Sequence, residues 1–311
     1  MMEYIPNGHQ NGTSGEYEEI KVPVPWGHIT GKWWGSRAVQ PIIAIHGWQD
    51  NSGTFDNLAP LLVAKGFSIY CIDLPGHGFS SHIPKGLQYY LWYDGVHFLR
   101  RVVKYFNWKN ITIIGHSLGG GIAFLYASIY PDEISKYVSL DISSPSVRSS
   151  QKMIAIAGSS LDKMFDYEKK SADQMPCYDY ENMLALMVQA HTGSVDREGC
   201  RILLRRGMTK APHKEGCYLF TRDPRLKVGV LGFMTMDLVL NFASQIKCEV
   251  LNIRASQGLK VDPLENYDIP LEYIEKYAKK LVRVNVEGTH HVHLTNAEVV
   301  EPAITEFLLS K

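Results

Sequence analysis

Ser117 stands in Gly115-His116-Ser117-Leu118-Gly119, directly after the strand-forming run Ile111-Thr112-Ile113-Ile114 and before a helix-like stretch from Ile122 to Tyr130. A serine in that setting matches the nucleophile elbow, a sharp strand-to-helix turn that lifts a hydroxyl above a sheet. The turn demands strained backbone geometry at the serine. Glycines at 115 and 119 remove the side chains that would collide there. The hydroxyl then lies at a helix N-terminus, where developing negative charge is favoured. The chemistry this pattern serves is nucleophilic attack on an electrophilic carbonyl.

A serine hydroxyl is a weak nucleophile at neutral pH and needs a general base. With this type of elbow, the partners follow in the order nucleophile, acid, histidine. Near the far end of the chain stands Glu287-Gly288-Thr289-His290-His291-Val292-His293, just after a strand-like run. His290, the first histidine after the glycine turn, is the expected base, and His291 is the alternative. His293 is expected to pack within the loop or to start the final helix. Two acids compete. Asp141 ends the strand that follows the elbow helix, and Asp262 lies in the loop after residues 248–253. Asp141 is preferred. Either acid would orient the histidine and stabilise its imidazolium form. For the oxyanion, the expected donors are the backbone amides of Leu118 and of Trp48, the latter in the loop after Ile45. Each donor is worth roughly 3 kcal/mol of transition-state stabilisation. His46 is expected to brace that loop and Asp73 to serve as a turn residue.

These residues need a scaffold. Residues 18–35 alternate polar and apolar around Gly27 and Gly31 and predict an edge hairpin. Pro41–Ile45, Phe67–Ile72, Ile111–Ile114 and Lys136–Leu140 are strand-forming runs, alternating with helices near Phe55–Ala64, Tyr90–Phe106 and 122–130. Apolar strands separated by helices imply a mostly parallel sheet covered on both faces. From about 145 to 220 the rhythm breaks into helix-like pieces, including Glu181–Ala190 and Asp196–Arg206, with no convincing apolar strand. It resumes with strand 248–253, helix 271–280, strand Leu281–Val286 and helix 297–309. The expected organisation is a flexible tail (1–17), an α/β core (18–145 and 221–311) and a helical cap insertion (146–220). Six of the ten methionines fall in the middle block: Met153, Met164, Met175, Met183, Met187 and Met208. They are expected to fill a small helical core; the alternative is that some line an adaptable apolar substrate cavity.

Composition narrows the partners. Lys plus Arg equals Asp plus Glu at 32 each, giving no net charge and no nucleic-acid footprint. No run of about 18 apolar residues predicts a membrane span. The five cysteines are odd in number and have no zinc-ligand spacing, so they are expected as reduced thiols. No metal site is expected. No secretory signal is visible, and a cytoplasmic location is expected in preference to a peroxisomal one.

Taken together, His46-Gly47-Trp48, Asp73-Leu74-Pro75-Gly76-His77-Gly78, the Ser117 elbow and the His290 loop resemble the α/β-hydrolase superfamily in the order its members show. Within it, His46-Gly47-Trp48-Gln49-Asp50-Asn51 and Arg222-Asp223-Pro224-Arg225 resemble the serine-hydrolase-like (kraken-type) branch. The resemblance implies a cap over the site and hydrolysis of a small or medium lipophilic carboxylic ester without a cofactor. The superfamily's usual acid would fall near Gly258, where no acid stands. Some haloalkane dehalogenases instead place it after the preceding strand, where Asp141 stands here. Dehalogenases and epoxide hydrolases carry Asp at the elbow, so Ser117 argues against both activities. A carbon–carbon bond hydrolase, a perhydrolase and a low-turnover small-molecule sensor are the alternatives on the same residues.

Overall fold

The computed structural model describes residues 16–86, 91–228, 233–260 and 265–310. The tail expected over 1–17 therefore lies outside the described residues up to position 15, and Asp262 also lies outside them.

The chain opens with an antiparallel hairpin, β1 (Tyr17–Val24) and β2 (Gly27–Trp34), at one sheet edge. There follow β3 (Ile42–Ile45), α1 (Leu58–Ala64), β4 (Ile69–Ile72), α2 (Leu91–Phe106), β5 (Ile111–His116), α3 (Leu118–Ile129) and β6 (Ile134–Leu140). After the middle block come α7 (Met236–Ala243), β9 (Glu249–Gln257), α8 (Glu265–Tyr277), β10 (Lys280–Thr289), α9 (Val292–Thr295) and α10 (Ala297–Leu309). The sheet order is β1-β2-β4-β3-β5-β6-β9-β10. All pairs from β4 to β10 are parallel, and β2 meets β4 antiparallel.

The alternation of strand side chains explains the two layers. Ile43, Ile45, Ile113 and Tyr137 point into one core with α2, α3, α7 and α8. Ile42, Ala44, Ile114 and Val138 point into the other, with α1 and α10. Each fully buried Ile or Leu contributes about 1.5–3 kcal/mol relative to exposure. A strand covered on both faces must be apolar at every position, which is why these strands read as continuous apolar runs.

The middle block holds α4 (Ser150–Lys169), α5 (Tyr180–Ala190) and α6 (Arg197–Gly207). Ser149, Asp179 and Asp196 cap these helices through their side chains. Met183 and Met187 do form a small core there, with Leu184, Leu203, Leu204 and Leu294, and Met208 packs against it. Met164 instead joins the main core, and Met175 lines a cavity.

Three expectations need correction. The block is not free of strands, because β7 (Met208–Lys210) and β8 (Tyr218–Phe220) pair as a short hairpin. Three-residue strands are too brief for alternation to show. The helix expected over 271–280 runs from Glu265 to Tyr277, since Pro270 is accommodated inside it. The helix expected over Phe55–Ala64 is a 3-10 turn (Ser52–Phe55) followed by α1. Asn51 caps that turn by accepting from Gly53 N–H.

Candidate active site

The elbow serine joins β5 to α3 with φ 50° and ψ −115°. An L-residue at positive φ is strained, and such strain collects at functional sites. Its amide donates to the Leu140 carbonyl at 3.2 Å, which ties the turn to the neighbouring strand. The turn is possible because Gly119 lies against β3. A Cβ there would stand 2.1 Å from the Ile45 carbonyl oxygen. Ser117 is half-buried, and its hydroxyl makes no capping bond to α3, leaving it free at the helix N-terminus.

Asp141 follows directly on β6, the next strand over, also at positive φ (54°). Its amide donates to the Ile253 carbonyl at 2.7 Å. Its carboxylate is 1% exposed and is gripped by two backbone donors, Ala255 N–H to Oδ1 at 2.9 Å and Leu259 N–H to Oδ2 at 2.6 Å. The same Oδ2 accepts from His290 Nδ1 at 2.5 Å. That bond fixes the tautomer and leaves His290 Nε2 as the basic nitrogen. The loop after β9 leaves room for this arrangement because it carries glycine at 258. A Cβ at Gly258 would stand 2.2 Å from Asp141 Oδ1. The carboxylate delivered from β6 thus fills the space in front of the loop after β9.

His290 leaves β10 at its C-terminal end and rests on His116, with ring centroids 4.6 Å apart. His116 Nε2 donates to the His290 carbonyl at 2.9 Å, so the residue before Ser117 holds the backbone of the residue that bonds Asp141. No hydrogen bond joins Ser117 Oγ to His290 among the described residues. Such contacts are commonly long in a resting site and tighten when substrate binds.

The loop after β3 forms a turn in which Asp50 N–H donates to the Gly47 carbonyl at 3.3 Å. Trp48 sits within this turn. A Cβ on Gly47 would stand 3.4 Å from Ser117 Cβ, which places the turn beside the serine. Leu118 opens α3, whose first amides have no acceptor within the helix. His46 is fully buried; its Nε2 accepts from Leu74 N–H at 3.0 Å and its Nδ1 donates to the Gly47 carbonyl at 2.7 Å. It braces the loop. Asp73 is a turn residue that accepts from Ser52 N–H and Phe79 N–H, and it also pairs with Arg206 of α6.

Both ring nitrogens of His291 face partners other than Ser117. Its Nδ1 pairs with Ser194 Oγ at 2.7 Å, and its Nε2 stands 3.7 Å from Asp50 Oδ2, an ion-pair contact longer than a hydrogen bond. His293, in α9, pairs with Thr54 Oγ1 at 2.9 Å. Burial, with the charges of His293, His291 and His290, holds the His116 imidazole well below its usual range. Burial does the same to His293 and lowers His77 to about 3. Burial pushes the Asp50 carboxyl up, but His291 and His46 outweigh that and hold it at about 2. One ligand atom each from Asp50, His116 and His291 lie within 4.8 Å of one another and, among the described residues, form the donor set that could hold a divalent ion.

Sequence reasoning did not single out Asp50, His116, Ser194 or Arg206. His116 and Asp50 sat inside motifs already quoted, so their position was a usable signal. Ser194 and Arg206 gave none, because they reach the site only through the packing of the middle block. Asn51 completes that link, donating to the Leu203 carbonyl at 3.0 Å.

A mostly parallel sheet covered on both faces, with a serine elbow after its central strand, defines an α/β hydrolase. The family model for the alpha/beta hydrolase fold matches residues 40–172. A Drosophila melanogaster protein called probable serine hydrolase is 49% identical over 94% of this chain and 88% of its own. The human serine hydrolase-like protein 2 is 30% identical over 96% of each. The solved structure of a hypothetical protein from Pseudomonas aeruginosa, 27% identical, matches with a TM-score of 0.82 over 94% of this chain and 100% of that one. The chain belongs to the α/β-hydrolase family, in its serine-hydrolase-like branch.

Proposed function

We propose that this hydrolase cleaves a small or medium lipophilic carboxylic ester through Ser117, His290 and Asp141. The observation that carries the reading is the 2.5 Å bond from His290 Nδ1 to a buried Asp141, beside a strained elbow serine. Ser117 Oγ attacks the ester carbonyl while His290 Nε2 takes its proton. The tetrahedral oxyanion is held by the Trp48 and Leu118 amides, and Asp141 stabilises the imidazolium. His290 then protonates the departing alcohol, leaving an acyl group on Ser117. Water, deprotonated by the same nitrogen, releases the acid and restores the serine. The 146–220 block acts as a cap, since Ser194 bonds His291 and Thr289 donates to the Ser194 carbonyl at 2.6 Å.

Fluorophosphonate labelling and p-nitrophenyl butyrate turnover test this reading. Wild type is expected to label and turn over, and Ser117→Ala to lose both. Failure of folded wild-type protein to label would defeat it. A low-turnover sensor on the same residues is the second reading. Tight ligand binding with negligible turnover in wild type would support it.

A further inference from the structure

We propose that the cavity between the C-terminal end of α4 and the segment 219–227 binds an amphipathic anion, an aliphatic body with a carboxylate or phosphate head. Neither Ser117 nor His290 lines this cavity, so the proposal does not rest on the hydrolytic reading. Its volume is about 570 Å³, within the usual range for small-molecule sites. Ile83, Met175, Leu219 and Phe220 contribute apolar wall.

The charges around it do not balance. Lys85, Lys170, Arg222, Arg225 and Lys227 line the cavity against two acids, Glu168 and Asp223. Both acids are engaged. Asp223 accepts from Arg225 at 2.7 Å and faces His82 at 3.5 Å. Glu168 accepts from Gly86 N–H at 3.0 Å and from Arg225 at 3.5 Å. Arg222 has no carboxylate partner among the described residues. Its Nε is buried without a hydrogen bond, and its guanidinium lies over the Phe220 ring at 4.4 Å. The internal stretches 87–90 and 229–232, which adjoin the cavity's segments in sequence, contain neither Asp nor Glu.

A guanidinium whose Nε is buried without an acceptor carries a desolvation cost, and a ligand that supplies the counter-charge relieves it. Burial alone holds Arg222 below its usual range. A guanidinium matches a carboxylate or phosphate with two parallel hydrogen bonds. The apolar wall takes the chain attached to that head.

Calorimetric titration of full-length Ser117→Ala with decanoate, decyl phosphate, 1-decanol and inorganic phosphate tests the proposal. Decanoate or decyl phosphate is expected to bind at least roughly tenfold tighter than 1-decanol or inorganic phosphate. Whichever of the two binds tighter identifies the head group. Arg222→Gln is expected to weaken the anion roughly tenfold, to leave 1-decanol unchanged and to raise the melting temperature of the ligand-free protein. Lys170→Gln with Lys227→Gln, both exposed, repeats the anion loss without risk to the core. Equal affinity for anion and alcohol, no binding of either anion, or an anion affinity indifferent to both sets of substitutions would overturn the proposal.

Discussion

At the scale of single residues, the site turns on where one carboxylate is anchored. Asp141 and Gly258 compete for the same space, since any Cβ at 258 would overlap Asp141 Oδ1. A Gly258→Ala chain is therefore expected to fold but to displace the carboxylate from His290 Nδ1. The exchange can be tested directly. Position 141 has φ 54°, a conformation that glycine adopts without strain. Asp141→Gly should keep the backbone while lowering kcat by roughly 10⁴, the scale seen when a triad histidine loses its orienting acid. Adding Gly258→Asp to that variant restores a carboxylate from the neighbouring loop, with room to stand. The double variant is expected to recover at least roughly tenfold of the lost kcat, about 1.4 kcal/mol of barrier. Ester turnover by the three proteins decides the matter, and an Asp141→Gly variant with wild-type kcat would remove Asp141 from the chemistry.

At the scale of elements, the tie between α6 and the core depends on Arg206. Its guanidinium is 2% exposed and donates to Asp73 at 2.5 Å and to both oxygens of Glu19 at 2.7 and 2.8 Å. Removing one partner of a buried ion pair leaves the other charge stranded, at a cost of roughly 3–5 kcal/mol. Arg206→Met is expected to lose stability on that scale in urea unfolding, and the Arg206→Met, Asp73→Asn pair to lose less. Equal midpoints for wild type and Arg206→Met would show the pair to be immaterial. The contrast with the sheet shows what the chain makes legible. Ile42–Ile45 are buried on both faces, as are Ile111, Ile113 and Ile114, so burial is written into those residues and the strands could be read directly. The elbow was readable for a similar reason, because close backbone approach leaves glycine as the residue that fits. The two acids could not be told apart by order alone, since both Asp141 and Asp262 follow Ser117 and precede His290. Arg206 looks like a surface charge on an amphipathic helix, and its partners lie far away in sequence at Glu19 and Asp73. Short strands such as β7 and β8 carry too few residues for a period to appear.

At the scale of the whole molecule, a chain with no net charge holds several histidines in a form that acid will challenge. His77 has its imidazole lowered to about 3 by burial, opposed only in part by Asp73, Asp50 and its bond to the Pro75 carbonyl. His116 and His293 are displaced in the same direction by burial and by the charges of the neighbouring histidines; for His293, Asp50 opposes the shift. In the unfolded chain each would titrate near 6.5. Below that pH the unfolded state binds protons that the native state refuses, so stability falls as pH falls. The contribution of His77 is whole above pH 6.5 and is lost between 6.5 and about 3. The slope per such histidine is about 1.4 kcal/mol per pH unit. Asp50, held at about 2, and Asp73, held well below the carboxylate range by Arg206 against burial, add a loss of the same sign, beginning lower, near pH 4. The melting temperature is therefore expected to begin falling just below neutrality, well before carboxylates protonate. His77→Asn should flatten that fall by about one proton's worth between pH 6 and 4.5. A melting temperature constant from pH 7.5 to 5 would mean that these imidazoles take up protons in the folded state, against the burial that surrounds them.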